Sequence, residues 1–152
     1  MTEVPTSGGS LTEFLAGLGW TPARRVGTEL ATAAWTYRGF SYSDSALDFV
    51  AQFNGLSFEY PRHSLVGGTD KCVLDAVRAA GAISASRVQE YEHRAQQELT
   101  PVGLSGSNHV LLMISVSGEM LGGYDDFLAI YGDDGKRALW NIYHRVKPIR
   151  LP

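Results

Sequence analysis

The sequence has a single cysteine, Cys72, and no apolar run near the roughly 18 residues needed to cross a bilayer. One cysteine cannot form an internal disulfide, which favours a reducing compartment. The first ten residues, MTEVPTSGGS, lack the basic region and apolar run of a signal peptide. We therefore expect a cytoplasmic protein with no membrane segment.

The sequence also has no excess of positive charge. It contains 13 Lys and Arg and 16 Asp and Glu, which gives a formal net charge of −3. This balance argues against a general nucleic-acid binder. A hydrophobic fraction of 44% and 152 residues suffice to bury a core without disulfides or metals. We predict one domain over residues 10–147, after a flexible lead over residues 1–9 and before a short tail over residues 148–152.

The residues that catalysis or metal binding needs are not clustered in the sequence. No pair of histidines has zinc-site spacing with Cys72. A thiol site from Cys72, His63 and Asp70 is conceivable, but a buried, inert cysteine is the commoner case. The segment from Gly67 to Lys71 lacks the spacing of a phosphate loop. We predict no catalytic residue, no metal ligand and no cofactor, and therefore no enzyme.

Helices dominate the predicted first half. Ser10 and Glu13 form a capping box that opens a helix ending at Gly19. A second helix is predicted from Thr28 to Gly39, and a third is capped by Ser43 and ends at Asn54. The predicted inward residues of the second helix are Leu30, Ala34 and Tyr37, and those of the third are Ala46, Phe49, Val50 and Phe53.

The middle of the chain is predicted as a strand, a loop and two helices. Leu56–Tyr60 alternates as a half-buried strand does, and residues 63–69 have the composition of a loop. Asp70 is predicted to cap a helix that buries Val73, Leu74 and Val77. Ser86 is predicted to open a surface helix that ends near Gln97.

Short strands and one helix make up the predicted second half. The strands are predicted over residues 99–104, 109–116, 119–124 and 127–131. Asp133 or Asp134 is predicted to open a helix that Pro148 stops, with Leu139, Ile142, Tyr143 and Val146 on one face. Because short turns join these strands, we predict an α+β fold with an antiparallel sheet in the second half, packed by N- and C-terminal helices.

Charge is distributed unevenly near the end of the sequence. Between Ser117 and Gly135 there are five acids and no Lys or Arg, whereas no acid follows Lys136. Such runs are usually solvated faces, but an acidic patch can also steer a basic partner. The acids that we predict to bind a partner are Glu119, Asp125, Asp126, Asp133 and Asp134.

Three segments in order resemble the third group of immunity proteins in the SUKH superfamily. They are GWTPARRV from Gly19, FVAQFNGL from Phe49 and LTPVG from Leu99. Together with the Gly118 turn and Gly122, they extend the resemblance from Leu11 to Tyr143. Asn54 stands where glycine is usual, and Asn tolerates left-handed φ. The basic residues after His144 have no counterpart that we can place.

The resemblance implies a non-catalytic inhibitor that binds a cognate toxin domain, often a nuclease or deaminase, encoded beside it. It implies a monomer with no direct nucleic-acid or membrane partner. The positions that match the family's structural frame are Gly19, Trp20, Gly55, Pro101 and Gly103. The alternative is a regulatory or scaffold module that binds an endogenous cellular partner.

Overall fold

The computed structural model describes residues 10–62 and 66–152, and within them the chain forms six helices and seven strands. The predicted flexible lead and residues 63–65 of the predicted loop lie outside this description. The helices are α1 Leu11–Leu18, α2 Glu29–Arg38, α3 Asp44–Phe53, α4 Ala76–Gly81, α5 Ala85–Ala95 and α6 Gly135–Tyr143. The strands are β1 Ser57–Pro61, β2 Thr69–Val73, β3 Leu99–Ser105, β4 Val110–Ser115, β5 Met120–Tyr124, β6 Phe127–Gly132 and β7 Ile149–Arg150.

The strands form one antiparallel sheet in which each strand pairs with the next along the chain. Every residue of β3 is buried, so helices cover both faces of the sheet there. Side chains alternate along β4, which places Leu112 and Ile114 on one face and Leu111 and Met113 on the other. The predicted α+β class, with a sheet in the second half packed by helices, is confirmed.

We call the face that bears Ile114 the front face. Phe53 of α3 and Gly135 of α6 line one concave site with Ile114, and α1 packs on α6, so these three helices lie on the front. Helix α5 lies on the back, since a Cβ built on Gly123 would meet the Tyr91 ring at 2.9 Å. The sheet therefore separates two helical layers around the core.

Several predicted helix ends are confirmed by side-chain caps. The Ser10 and Glu13 capping box is complete, and the Ser43 hydroxyl accepts a hydrogen bond from the Ala46 amide. Asp134 caps α6 by accepting from the Arg137 amide at 2.7 Å. The end predicted for α6 is wrong, because the helix stops at Tyr143, well before Pro148. Val146 therefore lies outside the helix and is exposed.

The inward face predicted for α2 is wrong. Leu30 and Tyr37 are 78% and 87% exposed, whereas Ala31 and Trp35 are buried. Leu30, Ala34 and Tyr37 have helical spacing, but so do Ala31 and Trp35, and burying the large indole decides the rotation of the helix.

The helix predicted to start at Asp70 is wrong, because Asp70 lies in β2, opposite Tyr60 of β1. Strand β1 cannot be stable alone, and β2 supplies its backbone partner. Asp75 caps the helix instead, by accepting from the Arg78 amide at 3.0 Å. Val77 is exposed rather than buried. The start predicted for α5 is also two residues late, since Ser84, not Ser86, accepts from the Arg87 amide.

The matched frame positions lie where α1, α3 and β3 meet their neighbours. Gly19 and Gly55 have φ of +102° and +96°, which favour glycine. A Cβ on Gly103 would lie 2.7 Å from the Val73 carbonyl oxygen. Trp20 stacks on Phe53, with ring centroids 5.9 Å apart.

The last strand was not predicted from the sequence. Ile149 and Arg150 pair with Ile130 and Ala129 of β6, within the segment predicted as a tail. The residues between α6 and β7 therefore run along the front face, beside the far end of α6.

Candidate partner-binding surfaces

The five acids predicted to bind a partner fall at opposite ends of the sheet. Asp125 and Asp126 form the hairpin after β5, while Glu119 precedes that strand. Asp133 follows β6 directly, and Met120 pairs with Gly132, so Asp133 and Asp134 share the end at which Glu119 lies. The structure brings three of the acids together and separates the other two by the length of β5.

The Asp125–Asp126 hairpin is held by α5. The Tyr91 hydroxyl donates to the Asp125 carbonyl oxygen at 2.8 Å, and Arg94 donates to the Asp126 carbonyl oxygen at 2.9 Å. Arg87 also donates to the Asp125 carbonyl oxygen, at 3.3 Å. Burial raises the pKa of the Tyr91 hydroxyl. Two guanidinium groups therefore lie against this hairpin and offset part of its negative charge.

The other end carries a concave site of about 260 Å³ between α3, the β4–β5 hairpin and the start of α6. We call it the acidic cleft. Its polar lining comprises Ser45, Asp48, Gln52, Asp134 and Lys136, with Gly118 at the hairpin. Asp48 and Asp134 come from two different helices, and the exposed Asp133 lies next to them in the sequence. The cleft therefore brings together Asp48 and Asp134, which lie far apart in the sequence, and Lys136 lies beside them.

A chain of polar contacts fixes one wall of the acidic cleft. The Gln52 amide donates to Asp48 at 2.8 Å, and the Trp20 indole donates to the Gln52 side-chain oxygen at 3.2 Å. The Lys136 ammonium lies 4.8 Å from the centroid of the Trp20 ring. Because Gln52 and Trp20 are buried, these contacts hold the Asp48 carboxylate at the mouth of the cleft.

The opposite wall is the β4–β5 hairpin, which is tied to its neighbours. The Ser45 hydroxyl donates to the Val116 carbonyl oxygen at 2.9 Å. The Gln97 amide donates to the Glu119 carboxylate at 2.9 Å, and the Gln97 side-chain oxygen accepts from Ser117. A surface whose charged groups are already positioned loses less conformational entropy when it binds.

Asp48 is the one carboxylate lining the cleft that was not predicted from the sequence. It lies on the polar side of a predicted amphipathic helix, where an acid carries no local signal. Only the packing of α3 against the start of α6 brings Asp48 near Asp134. The tertiary fold, not the spacing of residues, creates this site.

The described residues bear on the metal and thiol sites considered from the sequence. Among residues 10–62 and 66–152, no three His, Cys, Asp or Glu side chains group to hold a metal ion. Cys72 is fully buried, and burial raises the pKa of its thiol, so the reactive thiolate is disfavoured. Asp70 accepts from the Ser107 hydroxyl and lies 3.4 Å from Arg62, and His63 lies outside the described residues. The hypothesis of a thiol site gains no support from this arrangement.

The described residues form an α+β domain with charged concave surfaces, and a fold of this kind does not by itself define a function. The comparison with family models is specific, because the SUKH-3 immunity protein model matches residues 9–144. The chain belongs to the SUKH-3 immunity protein family. No curated protein and no solved structure matches the chain. None of the described helices is long and apolar enough to span a membrane.

Proposed function

We propose that this protein is an immunity protein that binds a cognate toxin domain and blocks its active site. The family assignment supports an immunity role, and immunity implies a toxin as protein partner. The further proposal is that the toxin acts on nucleic acid, as a nuclease or deaminase does, and that the protein acts in the cytoplasm as a monomer without enzymatic activity.

The acidic cleft is the observation that carries this proposal. Toxins that act on nucleic acid need a basic groove for phosphates. Asp48, Asp134 and the neighbouring, exposed Asp133 present carboxylates that can take the place of those phosphates. Asp133 is exposed and makes no hydrogen bond or ion pair with any residue that the structure describes. Its charge is therefore available to a partner.

The sheet offers a matched comparison between its two acidic ends. One variant combines Asp48→Asn with Asp133→Lys at the cleft, and the other combines Asp125→Asn with Asp126→Lys at the hairpin. Each changes the net charge by the same amount. Asn at position 48 keeps an oxygen that can accept from Gln52, and Asn at position 125 tolerates the φ of +48° there.

Association with the toxin domain encoded beside this chain is measured by stopped-flow fluorescence over a range of salt concentrations. We expect the cleft variant to associate roughly 10-fold more slowly at low salt and with a flatter salt dependence. The hairpin variant should stay close to wild type. Equal rates for wild type and both variants would contradict the assignment of this surface.

A further inference from the structure

A second concave site lies on the front face, at the end of α6 opposite the acidic cleft. Its volume is about 870 Å³. We call it the aromatic groove. Its floor comprises Tyr60, Tyr124, Phe127 and Tyr131 from three strands, and one wall is the segment from Arg145 to Arg150. The basic segment whose role the sequence left open therefore builds a wall of this groove.

The floor of the aromatic groove is ordered by contacts among its own residues. The Tyr124 and Phe127 rings stack with centroids 4.8 Å apart, and the Tyr60 hydroxyl accepts from the Gly106 amide at 2.9 Å. Tyr124 is 38% exposed, and burial, with Tyr60 and Tyr124 nearby, raises the pKa of the Tyr131 hydroxyl to about 12. Neutral aromatic rings therefore line the site, and they supply large contact areas at low entropic cost.

Positive charge is concentrated on the rim of the groove. Arg145, Lys147 and Arg150 all line it, and no Asp or Glu occurs after Asp134 in the sequence. The Arg150 guanidinium lies 5.4 Å from the centroid of the Phe127 ring. Lys147 is exposed and makes no hydrogen bond or ion pair within the described part of the chain. The rim of the groove thus carries three basic side chains.

We propose that the aromatic groove docks an acidic, apolar-bearing polypeptide segment of the toxin; this rests on the proposed function. Charge complementarity favours an acidic segment on the basic rim, while the rings accept apolar or aromatic side chains. The family match ends at residue 144, so the basic wall lies past the residues that the family model covers.

A polypeptide fits the groove better than a nucleic acid does. Asp70 lines the groove, and the acidic cleft lies on the same face, on the order of 15 Å away along the strands. A nucleic acid long enough to reach the cleft would bring its phosphates against Asp48 and Asp134, whereas a short acidic segment contacts only the rim of the groove. The acidic cleft and the basic rim lie at opposite ends of α6, so one partner that binds both needs a basic and an acidic region.

The first experiment compares Lys147→Glu with the control Lys71→Glu by calorimetric titration with the toxin domain encoded beside this chain. Both variants replace one exposed lysine, but Lys71 lies between Asp70 and Cys72 on β2, so its side chain points away from the groove floor. We expect roughly 10-fold weaker binding for Lys147→Glu and about the wild-type affinity for the control. Wild-type affinity for both variants would overturn the groove as a docking site and leave the toxin-binding function standing.

The second experiment tests the groove without the toxin. Short peptides of alternating glutamate and leucine, or of alternating lysine and leucine, are titrated into the full chain and followed by NMR, as is a short oligouridine. We expect only the acidic peptide to shift the resonances of Tyr124, Phe127 and Tyr131, and Lys147→Glu to abolish these shifts. If only oligouridine shifts these resonances, or if none of the three probes does, the proposal is overturned even if the toxin binds elsewhere.

Discussion

The Trp35 indole nitrogen donates a hydrogen bond of 2.8 Å to the carbonyl oxygen of Pro101. Trp35 is fully buried on α2, and Pro101 lies in β3 beside a β-bulge. The bond joins the helical first half of the chain to the sheet of the second half, since the two residues lie 66 positions apart.

We expect Trp35→Phe to lower the free energy of unfolding by about 1–3 kcal/mol, because it leaves the buried Pro101 carbonyl without this partner. Trp140→Phe is the control, since Trp140 is only partly buried and contacts Phe14 and His144 through its ring. Urea unfolding of both variants checks this. A loss for Trp35→Phe no larger than for Trp140→Phe would show that the hydrogen bond is not important for stability.

Gly103→Ala should destabilise the protein by about 2 kcal/mol or more, because a Cβ there would lie 2.7 Å from the Val73 carbonyl oxygen and the backbone would have to shift. Gly17→Ala in α1 is the matched control, since nothing lies within 4 Å of its Cβ position. Alanine should stabilise that helix by up to about 1 kcal/mol. Thermal melting should show a lower melting temperature for Gly103→Ala and an equal or higher one for Gly17→Ala. An unchanged melting temperature for Gly103→Ala would contradict the tight approach of β2 and β3.

Arg24 caps the end of α3, donating to the Gln52 and Asn54 carbonyl oxygens at 2.6 and 2.9 Å. Arg24→Met should lower the free energy of unfolding by about 1.5–3 kcal/mol, the range for hydrogen bonds to charged groups. Arg25→Met is the control, because Arg25 is exposed and contacts only its neighbours Pro22 and Arg24. Chemical denaturation measures both free energies of unfolding. Equal values for the two variants would refute this role for Arg24.

Alkaline pH should destabilise the fold through Tyr131. Burial raises the pKa of this hydroxyl to about 12 in the folded protein, above the value of roughly 10 in an unfolded chain. The neutral hydroxyl's contribution is therefore fully present below pH ~10 and is lost as pH rises toward 12. The free energy of unfolding, measured across this range, should fall less steeply in Tyr131→Phe. Tyr37→Phe is the control, because it removes a hydroxyl group from a side chain that is 87% exposed.

Local sequence patterns predicted the secondary structure correctly in segments whose pattern has a single interpretation. The capping box at Ser10 and the apolar run of β4 each have a single interpretation. Helix α2 carries two apolar stripes, and only the fit of Trp35 over β3 chooses between them. The sequence predicts a helix after Asp70 where the structure has β2. Asp70 has the residue type of a helix cap, whereas the need of β1 for an antiparallel partner is not visible in the local sequence.

The candidate site was predictable only in part. The sequence identifies the acids from Glu119 to Asp134, because their charge is not balanced locally. It cannot tell that β5 separates Asp125 from Asp134, or that α3 brings Asp48 to the latter. The aromatic groove was equally hidden, since its floor comes from β1, β5 and β6 and its wall from the segment before β7.

The central claim is that the chain neutralises a toxin domain, and its most direct test measures both binding and inhibition. The purified chain is titrated calorimetrically into the toxin domain encoded beside it, at low and high salt, and the toxin's catalytic activity is assayed along the titration. We predict saturable binding with a Kd of about 1 µM or tighter, weakened by salt, and loss of activity as binding saturates. No heat of binding, together with undiminished toxin activity in excess of this protein, would contradict the account.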